Sequence, residues 1–517
     1  MGTQNRRLNE IGDLDSLEKL RNKIQFEIDS EIDIETRRRF GQFSTPFPLA
    51  QEMMDFGLSL LKNKEIYFLE PAIGTGSFFS ALLSESSGKE FSLERATGIE
   101  IDKNYLQAAQ QLWKENNITL YNQDFSSMNP EGSYNYLVTN PPYVRHHYID
   151  QPQKKRLAQQ VKEETGINIS GLAGFYCYMM LLAHKWLAPG AVCGWLIPSE
   201  FMDVNYGSAL KEYLLNSVHL LKIHRYDPDC SQFEDALVSS CAVWFINEKV
   251  TADYEIEFTL GGSHQSPKLQ KKIKKSDLLG ERKWTRFPEQ NVRKKHDDVP
   301  KLGDFFTIKR GLATGDNSFF ILPKEQITEL GLDMKFFTPV LPSPRNLKTD
   351  YIEPDKHGNP FLNPQYFLLN CKLSEDEIKS AYPQLWTYLL SGKEKTGSKY
   401  LCRNRKTWYF QEQRDPTYFL CSYMGRGKSE RSPIRFIMNK SKAVATNSYL
   451  MLYPKDSLKH IIENDDKIVE RIWKELQTIT SRDIEDEGRI YGGGLKKIEP
   501  KELSNVRCKG LQFLFEL

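Results

Sequence analysis

The chain predicts an α/β fold built on a largely parallel sheet with helices on both faces, followed by a second domain of mixed or β-rich type. Three observations carry that expectation. From Ile66 to about Ile246, short β-rich apolar runs alternate with helical ones, a pattern that places crossover helices between parallel strands. A glycine-bearing turn follows the first of these strands and opens a helix, as in nucleotide-type sites at the carboxyl edge of a parallel sheet. Beyond Lys301 the alternation stops, and Gly, Pro, Tyr and Trp punctuate short irregular runs.

Taken in order, residues 1–35 read as a charged helical extension with Leu14, Leu17, Leu20 and Ile24 at helical spacing, and Phe43–Pro48 breaks the helical pattern and starts another helix. Strands follow at Ile66–Glu70, Ala96–Ile101, Ile118–Asp124 and Tyr134–Asn140, with helices over Ser77–Leu83 and Lys103–Trp113. The apolar stretch Phe175–Ile197 is interrupted by His184-Lys185 and Pro189-Gly190, so it reads as a buried helix, a turn and a strand, and no membrane partner is expected. The domains expected are 1–35, a catalytic domain over 36–250, a basic linker over 251–300 and a second domain over 301–517. In the linker, Lys268, Lys271, Lys272, Lys274 and Lys275 form either a solvated charge run or a contact to a nucleic-acid backbone.

A chain of 517 residues is long enough for two or three cores, and 39% hydrophobic with 12% aromatic content excludes a disordered polymer. Seventy Lys+Arg against 68 Asp+Glu leave a net charge of +2, so any basic surface is local. The eight cysteines contain no CxxC pair, which disfavours zinc ribbons and disulfide scaffolds and predicts a reducing, cytoplasmic setting.

The turn Pro71-Ala-Ile-Gly-Thr-Gly76 lets a ligand approach its backbone at Gly74 and Gly76, but it has neither a third glycine nor a Walker lysine. The next strand ends in Glu100-Ile101, where a carboxylate accepts from both hydroxyls of a ribose, and Asp124-Phe125 offers an acceptor and an aromatic edge to an adenine ring. Glu70 beside the turn would repel a pyrophosphate. A ligand with adenosine and no phosphate anchor points to S-adenosylmethionine, whose ammonium Glu70 would attract and whose carboxylate would take the Thr45 hydroxyl as donor.

The strand Tyr136–Thr139 runs into Asn140-Pro141-Pro142-Tyr143. Paired prolines fix the backbone and remove two donors. If the Asn140 side-chain oxygen and the Pro141 carbonyl accept the two hydrogens of an exocyclic NH2, its nitrogen is drawn toward a tetrahedral geometry with the lone pair available. Tyr143 would stack on the planar group, and the chemistry needs no metal. Arg145, His146 and His147 follow as candidate substrate contacts.

With these motifs in place, the sequence resembles the class I AdoMet-dependent amino-methyltransferases, and within them the gamma-type N6-adenine DNA methyltransferases of type II restriction–modification systems. Gly41–Pro46 is similar to the family's motif X, Glu70–Gly76 to motif I, Gly98–Asp102 to motif II, Asp124-Phe125 to motif III and Asn140–Tyr143 to motif IV. The interval between Asp124 and Asn140 has no room for a recognition domain, which excludes the alpha order, and the beta order would place the catalytic motif first. The resemblance implies S-adenosylmethionine as cofactor, double-stranded DNA as partner with a cognate endonuclease acting separately, and a flipped-out adenine clamped by a second aromatic, for which Phe233 matches the pattern.

The carboxyl half resembles the target-recognition domain of such enzymes through Ile308–Asn317, Arg435–Asn439, Ala445–Asn447 and Tyr491–Pro500. Arg403, Arg405, Lys406, Arg426, Lys428 and Arg431 are its candidate DNA contacts. Two rivals stand beside this reading: an amino-methyltransferase for RNA or a protein glutamine amide, and a non-catalytic protein on a decayed fold. The more than 200 residues beyond Lys301 argue against the first, and the intact Asn140–Tyr143 with Glu100 against the second.

Overall fold

The computed structural model describes residues 2–87, 89–130, 132–227, 239–289, 299–426, 434–491 and 495–515. The chain divides into two units, Met1–Lys294 and Lys295–Leu517. In the first, the apolar runs become β1 (Glu65–Glu70), β2 (Ser92–Glu100), β3 (Ile118–Asn122) and β4 (Tyr134–Thr139), joined by α4 (Ser77–Ser86) and α5 (Lys103–Leu112), after three helices, α1 (Gly2–Glu31), α2 (Ile34–Phe40) and α3 (Phe47–Leu60). Further along come α6 (Gln151–Thr165), α7 (Phe175–Leu182), β5 (Leu187–Pro198), α8 (Ser208–Asn216), β6 (His219–Arg225), β7 (Ser240–Ile246), β8 (Glu255–Gly262) and β9 (Pro267–Lys274).

These strands form one nine-stranded sheet in the order β3-β2-β1-β4-β5-β7-β6-β8-β9. The strands β3, β2, β1, β4 and β5 run parallel, and β7 enters antiparallel between β5 and β6. Central β4 is buried along nearly its whole length, as expected of a parallel strand covered on both faces. One face packs Trp186, Trp195 and Phe245, the other Met53, Phe68, Phe79 and Trp244. The chain reverses its winding between β1 and β4, so a crevice opens at the carboxyl ends of these strands.

Three expectations are corrected. Pro189-Gly190 is not a turn ahead of the strand; both residues lie inside β5, where the pairing with β4 shifts register, and Gly190 adopts φ 79°, a bulge that absorbs the proline. Residues 251–300 are not simply a linker, because β8 and β9 extend the sheet. The lysine run is the sheet's edge strand, exposed along most of β9, and edge lysines discourage pairing with another chain. Nor is the first helix a detached extension, since α1 packs against α4 and α5.

In the second unit, a five-stranded sheet takes Phe306–Arg310, Tyr449–Pro454, Phe419–Ser422, Phe436–Asn439 and Tyr351–Ile352 in that order, with two smaller three-stranded sheets. This is the mixed, β-rich architecture expected. Among the described residues no helix is long and apolar enough to cross a membrane, and the described cysteines are free and buried.

A buried polar cluster joins α3 to the far strands. His264 donates its backbone N–H to Glu52 Oε1 at 2.7 Å, its Nδ1 lies 2.6 Å from the same oxygen, and His224 Nδ1 lies 2.8 Å from Thr259 Oγ1. The two imidazoles lie 4.5 Å apart, tilted by 33°, one ligand atom from each of Glu52, His224 and His264 lies within 4.8 Å of the others, and Lys222 Nζ donates to the His264 carbonyl at 2.8 Å. Burial, with His264 and Lys222 nearby, lowers His224 from 6.5 to about 3. His224 is therefore neutral in the fold, and below pH 6.5 the unfolded chain binds a proton that the native chain refuses. Stability is fully present above pH 6.5 and falls as pH drops toward 3, by about 1.4 kcal/mol per pH unit for one proton. Hydrogen exchange of the β6–β7 peptides should accelerate from pH 7.5 to pH 5 beyond the intrinsic pH effect, and a His224→Asn variant should show a flatter dependence; equal slopes would refute the assignment.

Candidate active site

Four strand ends converge on one cavity of about 700 Å3. Its wall includes Pro71, Ala72 and Gly74 after β1, Glu100 and Ile101 at the end of β2, Asp124 and Phe125 after β3, and Asn140 and Pro142 after β4. Most of the cofactor-binding residues expected from sequence are thus brought together. A Cβ added at Gly74, where φ is 55°, would meet nothing within 4 Å, so its backbone borders open space. Ile101 is 68% exposed, an uncovered apolar side chain on the wall that suits the face of a planar ring.

The Glu100 carboxylate is fixed from both sides, with Oε2 accepting from Gly74 N and Oε1 from Asp102 N, each at 2.9 Å. Burial raises its pKa, and the N–H groups of Asp102 and Gly74 pull it back. Asp124 caps the short 3-10 turn Phe125–Ser127 through the Ser126 N–H and hydroxyl, and the Phe125 ring packs on Trp186 with centroids 5.3 Å apart. Both residues are thereby oriented before any ligand arrives.

Glu70 departs from expectation. It is 2% exposed and not among the residues on the cavity wall; burial raises its pKa well above the ordinary range, with Arg21 opposing. Its Oε2 is buried without a hydrogen-bond partner, set off the wall on which an ammonium was expected to meet it. Gly76, also off the wall, has φ 92°, and a Cβ there would lie 2.4 Å from Trp113 Nε1, so it serves close packing of the turn.

The Asn140 amide is held by the loop before α3. Nδ2 donates to the Phe43 carbonyl and to Thr45 Oγ1, both at 3.1 Å. A carbonyl can only accept, so this contact fixes which end of the amide is NH2. The other end, Oδ1, is buried without a hydrogen-bond partner. Thr45 is buried and off the cavity wall, and its carbonyl accepts from the Ser77 hydroxyl at 2.8 Å; it orients Asn140 where sequence reasoning had it donate to a ligand carboxylate. The loop reaches the tetrapeptide again through Gly41, whose carbonyl accepts from Tyr143 N at 3.2 Å. Gly41 has φ 66°, and a Cβ there would stand 2.2 Å from Tyr143 N, so no side chain fits.

Tyr143 is 7% exposed, its hydroxyl donates to the Leu196 carbonyl at 3.1 Å, and its ring lies 6.0 Å from Phe43. It stands beside the cavity, fixed in orientation, while Pro141 is buried behind Pro142. Phe233, Lys428 and Arg431 lie outside the described residues. Arg145 and His147 are exposed beside the tetrapeptide. Arg403, Lys406 and Arg426 are exposed in the second unit, whereas Arg405 donates to the Ala313 carbonyl at 2.8 Å and braces the loop that carries Asp316. Sequence reasoning missed Gln25, Asp29 and Tyr105 on the wall, along with Phe175 and Met179 from α7; for the first two the only signal was the apolar stripe that docks α1.

Two family profiles match the chain. "Eco57I restriction-modification methylase" covers residues 47–233 and "Type II methyltransferase M.Eco57I, C-terminal domain" covers residues 289–512. The chain is 27% identical over 501 residues to the type II methyltransferase M.AccI of Acinetobacter calcoaceticus, covering 93% of this chain and 88% of that protein. It is 25% identical over 497 residues to the type II methyltransferase M.XamI of Xanthomonas campestris pv. amaranthicola, covering 92% and 86%. The type IIL restriction-modification enzyme MmeI, solved in complex with DNA, superposes with a TM-score of 0.50 at 14% identity, covering 86% of this chain and 62% of that one, a likeness of fold. The first unit has the class I AdoMet-dependent methyltransferase fold, with the glycine turn, Glu100, Asp124 and Asn140 at successive strand ends, and the chain belongs to the type II methyltransferases of restriction–modification systems.

Proposed function

We propose that the protein transfers the methyl group of S-adenosylmethionine to the exocyclic N6 of a flipped-out adenine in double-stranded DNA, modifying host DNA in the cytoplasm against a cognate endonuclease that acts separately. The observation that carries this reading is the Asn140 oxygen, buried, unpartnered and aimed by two donations from the same amide. A buried acceptor left unsatisfied costs about 1–3 kcal/mol, which an incoming N–H donor recovers. An RNA amine or a glutamine amide would satisfy the same oxygen, but the type II methyltransferase relatives favour DNA.

The wall fits the cofactor: Glu100 stands ready for ribose hydroxyls, Ile101 and Asp124 for an adenine face and amino group, and the open backbone at Gly74 for close approach. When bound, S-adenosylmethionine supplies the methyl as an electrophile on a sulfonium. The protein's part is to hold the amine. Asn140 Oδ1 and the Pro141 carbonyl accept its two hydrogens, which localises the lone pair on nitrogen. Tyr143, tethered through its hydroxyl, provides the fixed aromatic platform, and Phe233 supplies the opposing one. Stacking on each contributes roughly 1–3 kcal/mol toward the cost of extruding the base.

Two variants test the reading. Asn140→Ala should abolish transfer of labelled methyl to duplex DNA, read as N6-methyladenine in digests, while AdoMet binding stays within a few-fold of wild type; normal turnover would refute the acceptor role. Thr45→Val removes one of the two groups that orient the amide, so kcat should fall by about tenfold, the equivalent of one hydrogen bond, with cofactor affinity unchanged. A raised KM for AdoMet at constant kcat would instead return Thr45 to a ligand-binding role.

A further inference from the structure

The profile matching the catalytic unit begins at residue 47, yet α1 reaches the glycine turn. Arg21 is 1% exposed. Its Nη1 donates to Thr75 Oγ1 at 2.9 Å, while Nε and Nη2 donate to the two oxygens of Glu18 at 2.7 Å. The Thr75 hydroxyl donates in turn to Gln25 Oε1 at 2.7 Å. One helical turn on, Asp29 Oδ1 accepts from Gln25 Nε2 at 2.9 Å and from the Tyr105 hydroxyl of α5 at 2.7 Å.

Asp29 lies on the cavity wall with Glu100, Asp102 and Asp124. The last three each accept a backbone N–H of their own turn or helix. Asp29 is oriented by side chains on Oδ1, and its Oδ2 stands 3.8 Å from Arg37 Nη1, a mostly buried pair beyond hydrogen-bond distance. The α-ammonium of a methionine end calls for an acceptor on the cavity wall, where Glu70 does not stand.

We propose that α1 completes the cofactor site, with Asp29 receiving the α-ammonium of the cofactor's amino-acid end and Arg21 acting as the positioning residue that pins the helix to the glycine turn. The proposal rests on the reading that this cavity holds S-adenosylmethionine. The full chain can be titrated calorimetrically with S-adenosylhomocysteine, with its des-amino analogue, and with 5′-methylthioadenosine, which keeps the adenosine and thioether but lacks the amino-acid end. Wild type should bind the des-amino analogue about tenfold more weakly than S-adenosylhomocysteine, as for loss of one charge-assisted hydrogen bond. Asp29→Asn should weaken S-adenosylhomocysteine by a similar factor and leave 5′-methylthioadenosine unchanged. Arg21→Met should weaken S-adenosylhomocysteine, with partial rescue by Arg21→Lys. Equal wild-type binding of the des-amino analogue overturns the proposal without any variant. So does an Asp29→Asn protein that binds S-adenosylhomocysteine normally, or one that loses both adenosine ligands equally. A wild-type chain that binds none of the three overturns the cofactor reading itself.

Discussion

The site depends on the fixed orientation of one side-chain amide. Asn140 could present either end to the crevice, and only the oxygen is useful to an amine. The choice is made by the Phe43 carbonyl, which can take nothing but the NH2 end, and reinforced by Thr45. Other features around the tetrapeptide serve that constraint: Gly41 permits the loop to lie against Tyr143 at a distance no side chain allows, and Ser77 ties the loop to the helix after the glycine turn.

The sheet supplies the rest by topology. Parallel strands bring their carboxyl ends to one edge, and the reversal of winding between β1 and β4 leaves the crevice there. The glycine turn, Glu100, Asp124 and Asn140 arrive at that edge from four consecutive strands, and the sheet order β3-β2-β1-β4 sets them in a row with the glycine turn between Glu100 and Asn140. The cost falls on residues that must be buried and polar: Glu70 and Glu100 are both held above the ordinary carboxyl range by burial, and Glu100 is kept in service by two backbone donors.

The first four strands and nine of the wall residues were legible in the sequence because each is a local signal: an apolar run, a glycine, an acid at a strand end, a proline pair. What was not legible is relational. The lysine run read as a linker because charge is visible in sequence and edge position is not. Pro189-Gly190 read as a turn because a bulge is recognisable only against the register of the neighbouring strand. Thr45 and Glu70 have suitable chemistry for the ligand, but the fold turns one toward Asn140 and buries the other. The α1 residues on the wall escaped because nothing in an amphipathic helix states which turn of which loop it will meet.

Asn140 and the two atoms that aim it are separated by 95 and 97 residues of chain. Chemical competence is therefore a property of the closed tertiary structure and not of the tetrapeptide. A molecule whose strands have paired but whose upstream loop has not yet docked carries the full motif with an amide free to rotate, offering hydrogen where oxygen is required. On the proposed function such a molecule holds the motif without its acceptor, and the transition from one condition to the other is the seating of a single six-residue loop.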